Sequence, residues 1–400
     1  MNKLTENEIK MFTVNSLFTL SNALSSVFVN VFLYVYTKSL IVMTIYTCLK
    51  IMMYPPLFTL SGKIASKKNF GLTLSIGLII MMIQLIFILY FNELFGQYHF
   101  LVYLSAITLG CGEGFYWLSI VSLNQYVSTP KTRNRYFGIL GIVNNLASII
   151  APLLATGLIE AAPDDMAGYT TIFKVVLILY AIISTLSFTV RISVPSGPFT
   201  VLDKLSLKDK HWEYVFISTL LFGIRDSMIL TLAGLLVYNA TGGSGSSYSK
   251  LLALFAVVAI ASFAVMIKMM NNRNRDLYYF IGCVLTASST IVLVLIPNMF
   301  GAVYYGLVNA FASPLYSNPY NVLYMNGISH FKNENLIGRV IGRECAMTIG
   351  RCGGMIFIVL VYLLFGEPFY LPVSVVIVSL SPIALFLYHH KTYPLLKEDI

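Results

Sequence analysis

Residues 192–212 read ISVPSGPFTVLDKLSLKDKHW, the longest polar connection in the chain, opening on Pro195, Gly197 and Pro198 and closing on a mixed charge run that ends at His211 and Trp212. It falls midway along the 400 residues, and what flanks it is apolar. Six long apolar blocks precede it, at about 12–36, 40–61, 71–92, 98–126, 136–159 and 171–191. Six follow, at about 213–238, 250–270, 277–297, 300–327, 338–365 and 369–389. Blocks near the ~20 residues that carry a helix across a ~30 Å hydrocarbon layer read as membrane spans. They are too long for membrane strands and lack the period-two alternation of a barrel. The pattern predicts an all-α integral membrane protein of twelve transmembrane helices in two six-helix pseudo-repeats: a bundle over 1–191, a cytoplasmic linker over 192–212 and a second bundle over 213–400.

Composition excludes other classes. At 57% hydrophobic and 11% charged, the chain is far from the ~45–50% and ~25% of soluble domains. Lys plus Arg number 26 against 17 Asp plus Glu, yet the cations are scattered over short loops instead of forming a basic patch, so no nucleic-acid partner is expected. Nineteen of them, among them Lys10, Lys63, Lys67, Lys68, Lys131, Arg135, Lys208, Lys268, Arg339 and Lys391, fall on one side of the threading, and only Lys38, Lys174 and Lys250 on the other. Cytoplasmic loops carry the Lys/Arg excess. Both termini are therefore predicted in the cytoplasm, which requires an even number of spans. The first apolar block runs longer than a signal-peptide core, so it is expected to stay in the mature chain, and without an organellar transit pattern a bacterial plasma membrane is the expected address. A half-chain echo joins Lys63 to Lys268, 205 positions on, and Arg135 to Arg339, 204 positions on.

This layout resembles the major facilitator superfamily of secondary transporters. The loop Gly62-Lys63-Ile64-Ala65-Ser66-Lys67-Lys68-Asn69-Phe70 is similar to that family's Gly-x-x-x-Asp-Arg-x-Gly-Arg, keeping the glycine and a cation but placing Ser66 where the acid stands. Gly138, Ala147, Ala151-Pro152 and Ala155-Thr156 resemble the small-residue pattern of the family's antiporters, with Ala or Thr for most glycines. Thr108 stands where the family carries a helix-4 arginine, four before Gly112. The resemblance implies a monomeric, cofactor-free secondary active transporter, with proton-coupled efflux of a small organic or amphiphilic molecule by alternating access. The alternatives are an uptake carrier or lipid-linked flippase of the same fold, a membrane-embedded transferase, or a transporter-like sensor without turnover. Short, acid-poor loops disfavour the transferase, and no Gly-x-x-x-x-Gly-Lys-Ser/Thr is present to bind ATP phosphates.

An ionisable side chain at bilayer depth costs ~2.5–3.5 kcal/mol or more, so it calls for a partner or a function. Lys50, Glu113, Arg225, Asp226, Arg343, Glu344 and Arg351 meet that description. Glu113, among Gly110, Gly112 and Gly114, is the first candidate for proton coupling, with the glycines expected to open space beside it; a salt bridge to Lys50 or Arg225 is the structural alternative. Asp226 is the second candidate. It lies ~100° around the helix from Arg225, which leaves Arg225 to hold an anionic substrate group and Asp226 to answer Lys50 or Arg351. Lys50, Arg343, Glu344 and Arg351 are expected to form a charge network or gate.

Asn15, Thr19, Asn22, Ser26 and Asn30 share one helix face, a stripe that would leave amides unsatisfied against lipid. Tyr316, Tyr320 and Tyr324 recur every four residues between Pro314, Pro319 and three asparagines, as suits a bending helix or a ring-bearing ligand. Asn22, Asn30, Tyr116, Trp117, Arg225 and Tyr320 are the predicted substrate-cavity residues. Cys48, Cys111, Cys283, Cys345 and Cys352 show no CxxC, and all five histidines sit at span ends or in loops, so no metal site is expected.

The threading is open to a direct check. Impermeant labels should reach tags on both termini only from the cytoplasmic face; ends that label from opposite faces would break the even count.

Overall fold

In hydrocarbon a backbone satisfies its N–H and C=O groups along itself, and the computed structural model of the chain contains no strand among the described residues. These are residues 6–127, 133–190, 200–201, 205–270, 274–329, 331, 336–366 and 369–397. Most of the predicted linker, 192–199 and 202–204, lies outside them, as do Lys3, Lys131, Arg191, Arg273, Lys332 and Glu367. The chain divides into two compact units, Met1–Phe199 and Thr200–Ile400, and the division falls inside the 192–212 stretch.

The first unit comprises α1 (Glu6–Thr37), α2 (Leu40–Met52), α3 (Tyr54–Lys67), α4 (Phe70–Phe91), α5 (His99–Val127), α6 (Arg133–Glu160) and α7 (Asp165–Phe188). The second comprises α8 (Lys210–Met228), α9 (Gly234–Ala240), α10 (Gly245–Met269), α11 (Arg275–Leu295), α12 (Met299–Ser329), α13 (Leu336–Phe365), α14 (Tyr370–Ser379) and α15 (Ser381–Lys397). Ten segments of the described residues are long and apolar enough to cross a membrane, counting α2 with α3, α8 with α9, and α14 with α15 as single passages. The 28-residue α6 and 31-residue α12 complete the twelve.

Three predicted spans are broken where local chemistry requires it. Pro55 and Pro56 withdraw backbone donors in the first turn of α3, and the chain breaks at Met53. A π-helical turn, Ile229–Ala233, separates α8 from α9 and begins three residues after Asp226. Pro382 follows the break between α14 and α15 at Leu380. In contrast, α12 runs unbroken through Pro314 and Pro319. It is braced there by α11, whose Gly282 lies so close that a Cβ would stand 2.7 Å from the Tyr316 nitrogen.

Within the first unit, α4 is bound to its neighbours by buried hydroxyls. Thr73 and Ser119 share a hydrogen bond of 2.8 Å, Gln84 Nε2 donates to Ser105 Oγ at 3.0 Å, and Ser75 Oγ donates to the Ser184 carbonyl on α7 at 2.9 Å. The glycines around Glu113 do not open space. A Cβ at Gly110 would collide with the Lys50 carbonyl, one at Gly112 would lie 2.8 Å from the Gly77 carbonyl, and one at Gly114 2.6 Å from Leu57 Cβ. They let α2, α3 and α4 lie against bare α5 backbone, as small residues do between membrane helices. In the second unit Gly223 and Gly350 do the same for α8 and α13; a Cβ on Gly223 would stand 2.7 Å from the Met347 carbonyl.

Gly110→Ala should therefore lower the thermal midpoint of the detergent-solubilised protein by several degrees, an overpacking cost of ~1–3 kcal/mol. Gly157→Ala, whose methyl meets nothing within 4 Å, should leave it in place.

Candidate functional site

The break at Met53 sets the geometry of the first unit's charges. Lys50 lies in the last turn of α2 and Tyr54 opens α3, so a residue pair spaced by four straddles the break and meets α5. Lys50 Nζ lies 3.3 Å from Glu113 Oε2. The Tyr54 hydroxyl donates to the same oxygen. Glu113 is buried, with 6% of its surface exposed. Of the two cations expected for it, Lys50 is the partner. Tyr54 went unrecognised in the sequence, although its spacing from Lys50 and the Pro55-Pro56 pair behind it mark a break at a charged position.

Lys50 and Glu113 stand in the wall of a small, partly open recess, whose empty volume of about 320 Å³ includes open solvent. Helix α1 contributes Asn22, Ser25, Val29 and Asn30 to it, α2 adds Tyr46, α5 adds Leu109 and α7 adds Tyr180. Tyr46 is 1% exposed, and Ser105 of α5 stands within hydrogen-bonding reach of its hydroxyl. The α1 stripe divides in two. Asn15 Nδ2 donates to Asn124 Oδ1 at 3.1 Å and Thr19 Oγ1 to Asn144 Oδ1 at 3.1 Å, bonding α1 to α5 and α6, whereas Asn22 and Asn30 reach the recess. The Ser26 side chain lies outside the described residues.

Tyr116 and Trp117 are not in the recess wall. Tyr116 is buried and stacked on Phe18 at 3.5 Å between ring centroids, and Trp117 meets the same ring edge-on at 5.7 Å.

In the second unit Arg351 of α13 gathers both acids. Its Nη2 lies 2.8 Å and its Nε 2.9 Å from Asp226 Oδ2, and Nη1 lies 3.4 Å from Glu344 Oε1. Asp226 thus takes Arg351, one of the two cations anticipated for it. Arg225 turns away from this cluster: Nη2 donates to Asn309 Oδ1 at 2.8 Å, and the guanidinium carbon stands 5.2 Å from the Tyr316 ring centroid. Arg343 lies over Tyr324 at 4.3 Å. Tyr320 donates to Thr219 Oγ1 at 3.0 Å and stacks on Phe222 at 4.1 Å. Among the described residues no three His, Cys, Asp or Glu side chains gather in a metal-binding arrangement.

A carboxylate held by one ammonium and one phenol at the wall of a recess has exchangeable partners.

A family model described as Major Facilitator Superfamily matches residues 11–343. The chain is 26% identical to the uncharacterized protein YqgE of Bacillus subtilis, over 93% of this chain and 86% of that one. It is 29% identical to an uncharacterized protein in the sodM 3' region of Geobacillus stearothermophilus, over 42% of this chain and 76% of that one. Among solved structures, the nucleoside transporter NupG superposes with a TM-score of 0.67 at 12% identity, covering 97% of this chain and 99% of that one. The E. coli fucose:proton symporter FucP does so at 0.65 and 12%, covering 96% and 98%. The human organic anion transporter MFSD10 reaches 0.62 at 12%, covering 95% and 99%. At such identities these structures speak to the fold alone.

The Arg351 cluster yields a stability test. Arg351→Met strands two part-buried carboxylates and should cost ~3–5 kcal/mol. Adding Asp226→Asn and Glu344→Gln should recover much of the lost thermal midpoint, because the amides no longer repel one another. Equal destabilisation in the single and triple variants would contradict the cluster.

Proposed function

The chain belongs to the Major Facilitator Superfamily, a transporter rather than an enzyme, and on that premise we propose that it exports a small organic or amphiphilic molecule in exchange for protons. The carrying observation is the Lys50 and Glu113 pair, 3.3 Å apart in the wall of a polar recess. Glu113 is the proton-binding group, with Asp226 second. With Glu113 ionised, Lys50 and Tyr54 are spent on it. When a proton arrives, the attraction that holds Lys50 falls away, and the hydrogen bonds of the recess reorganise.

That exchange is what coupling requires, because the proton changes which polar groups are available to the solute. Asn22, Asn30 and Tyr46 line the recess with two amides and a hydroxyl, polar groups that a solute can share. A solute fitting these groups binds best in one protonation state of Glu113, and alternating access turns that difference into transport. Export is favoured by the small residues of α6: Ala147, Ala151 and Ala155 are buried beside Pro152, in the pattern that resembles antiporters. The working setting is a bacterial plasma membrane with both termini cytoplasmic and the monomer as the functional unit.

Inverted vesicles given a pH gradient and a panel of anionic, cationic and lipid-like solutes test this. Glu113→Gln should reduce pH-driven accumulation to the level of vesicles lacking the protein. Tyr54→Phe, which leaves the carboxylate and removes one of its partners, should shift the pH profile without abolishing flux. Accumulation ratios unchanged by Glu113→Gln would remove Glu113 from the coupling role.

A further inference from the structure

The wall of the first unit's recess sorts into polar groups that are already engaged and polar groups that are not. Ser105 stands within hydrogen-bonding reach of the Tyr46 hydroxyl, and Ser25 within reach of the Tyr180 hydroxyl. Lys50 faces Glu113 at 3.3 Å. Both contacts of the Glu113 carboxylate, from Lys50 and from Tyr54, go to Oε2. Glu113 is buried, yet its Oε1 makes no hydrogen bond among the described residues. The half-buried side chain of Asn30, in the same wall on α1, makes none either. An ionised carboxylate oxygen only accepts, whereas an amide both donates and accepts. The open groups therefore suit a visitor that donates to Oε1 and accepts from Asn30 Nδ2.

Charge narrows the visitor further. Lys50 and Glu113 already neutralise one another in the recess wall. A cation would compete with Lys50 for the carboxylate and strand a part-buried ammonium, and breaking such a pair is strongly unfavourable. An anion would be repelled by Glu113 until Glu113 took a proton. It would then bind together with the proton and travel with it, opposite in sign to exchange. An uncharged hydroxyl or amide N–H uses Oε1 and leaves the pair intact. Val29 and Leu109 in the wall supply apolar contact for the carbon that bears it.

We infer that the recess takes an uncharged head group whose hydroxyl or amide N–H donates to Glu113 Oε1 and whose oxygen accepts from Asn30, so that the substrate class is neutral, donor-bearing amphiphiles. The head group alone enters the small recess, and the rest of the molecule lies outside it. A hydrogen bond to an ionised acceptor is roughly twice as strong as one between neutral partners. A proton on Glu113 therefore loosens the hold on the head group, and cargo leaves as the proton arrives, which agrees in sign with export. This inference rests on the transport reading above, but it concerns recognition, and the two can fail separately.

The test uses probes that share one ring system: naphthalene-2-methanol, its methyl ether, naphthalene-2-methylammonium and naphthalene-2-acetate. Binding to the full chain in nanodiscs is titrated against empty nanodiscs. At about pH 8, where free carboxylates are ionised, the alcohol should bind ~10-fold more tightly than either ion and than the ether, which accepts but cannot donate. Lowering the pH to about 4, into the range where carboxylates take up protons, should remove most of the alcohol's advantage over the ether. Glu113→Gln should remove it at every pH. Asn30→Ala should weaken alcohol and ether alike, because both lose the same donor. If Glu113→Gln fails to fold, the wild-type pH series and the Asn30→Ala result decide the matter. An ether or an ion that binds as tightly as the alcohol, an alcohol preference that survives Glu113→Gln, or an alcohol that does not bind would overturn the assignment. Preferential alcohol binding without flux would sink the transport reading and leave the head-group site standing. Flux of charged solutes driven by a pH gradient, with no alcohol preference, would do the reverse.

Discussion

A charge inside a hydrocarbon layer survives when a second helix brings a counter-charge within reach, and in this protein that reach depends on bare backbone. Lys50 meets Glu113 because Gly110 lets α5 lie against the Lys50 carbonyl itself. Arg351 meets Asp226 because Gly223 and Gly350 let α8 and α13 approach to the distance at which a methyl would collide. The glycines and the ion pairs are thus one device. Side chains of ordinary size at those positions would push the helices apart and leave each charge with the ~2.5–3.5 kcal/mol or greater cost of standing alone.

The helix breaks add the second half of the device. In the first unit the prolines at 55 and 56 interrupt the passage at Met53, between Lys50 and Tyr54, so that two successive turns deliver a cation and a phenol to one carboxylate oxygen. In the second unit the π-helical turn Ile229–Ala233 begins three residues beyond Asp226. Interruptions of this kind free backbone groups and weaken the rod locally, and membrane carriers place them where ligands and ions bind. Here both lie beside the buried acids.

Much of the fold was legible in the sequence because its signals are local. Block length, loop charge and the 192–212 stretch each need only a short window, and they led to twelve passages in two sets. The buried charges were legible for the same reason: an Arg or Glu in an apolar block stands out in isolation. Their pairings were not. Tyr54 and Glu113 are 59 positions apart, and Arg351 and Asp226 are 125 apart, so the choice between Lys50 and Arg225 for Glu113 needed three dimensions. The glycines around Glu113 were misjudged for a related reason. A missing side chain reads as space in one dimension, whereas in a packed bundle the neighbouring helix takes up that space. Tyr46 and Tyr54 were overlooked because the chain has 26 tyrosines, and only burial and partners set these two apart.

The two units hold their buried charges in different ways. A balanced pair such as Lys50 and Glu113, 3.3 Å apart, has no net demand for a counter-ion. Arg225 and Arg343 keep their charge over any accessible pH, and it is met by the Asn309 amide and by the faces of Tyr316 and Tyr324. The first bundle thus holds its buried charge as a balanced pair, and the second holds guanidiniums against an amide and aromatic faces.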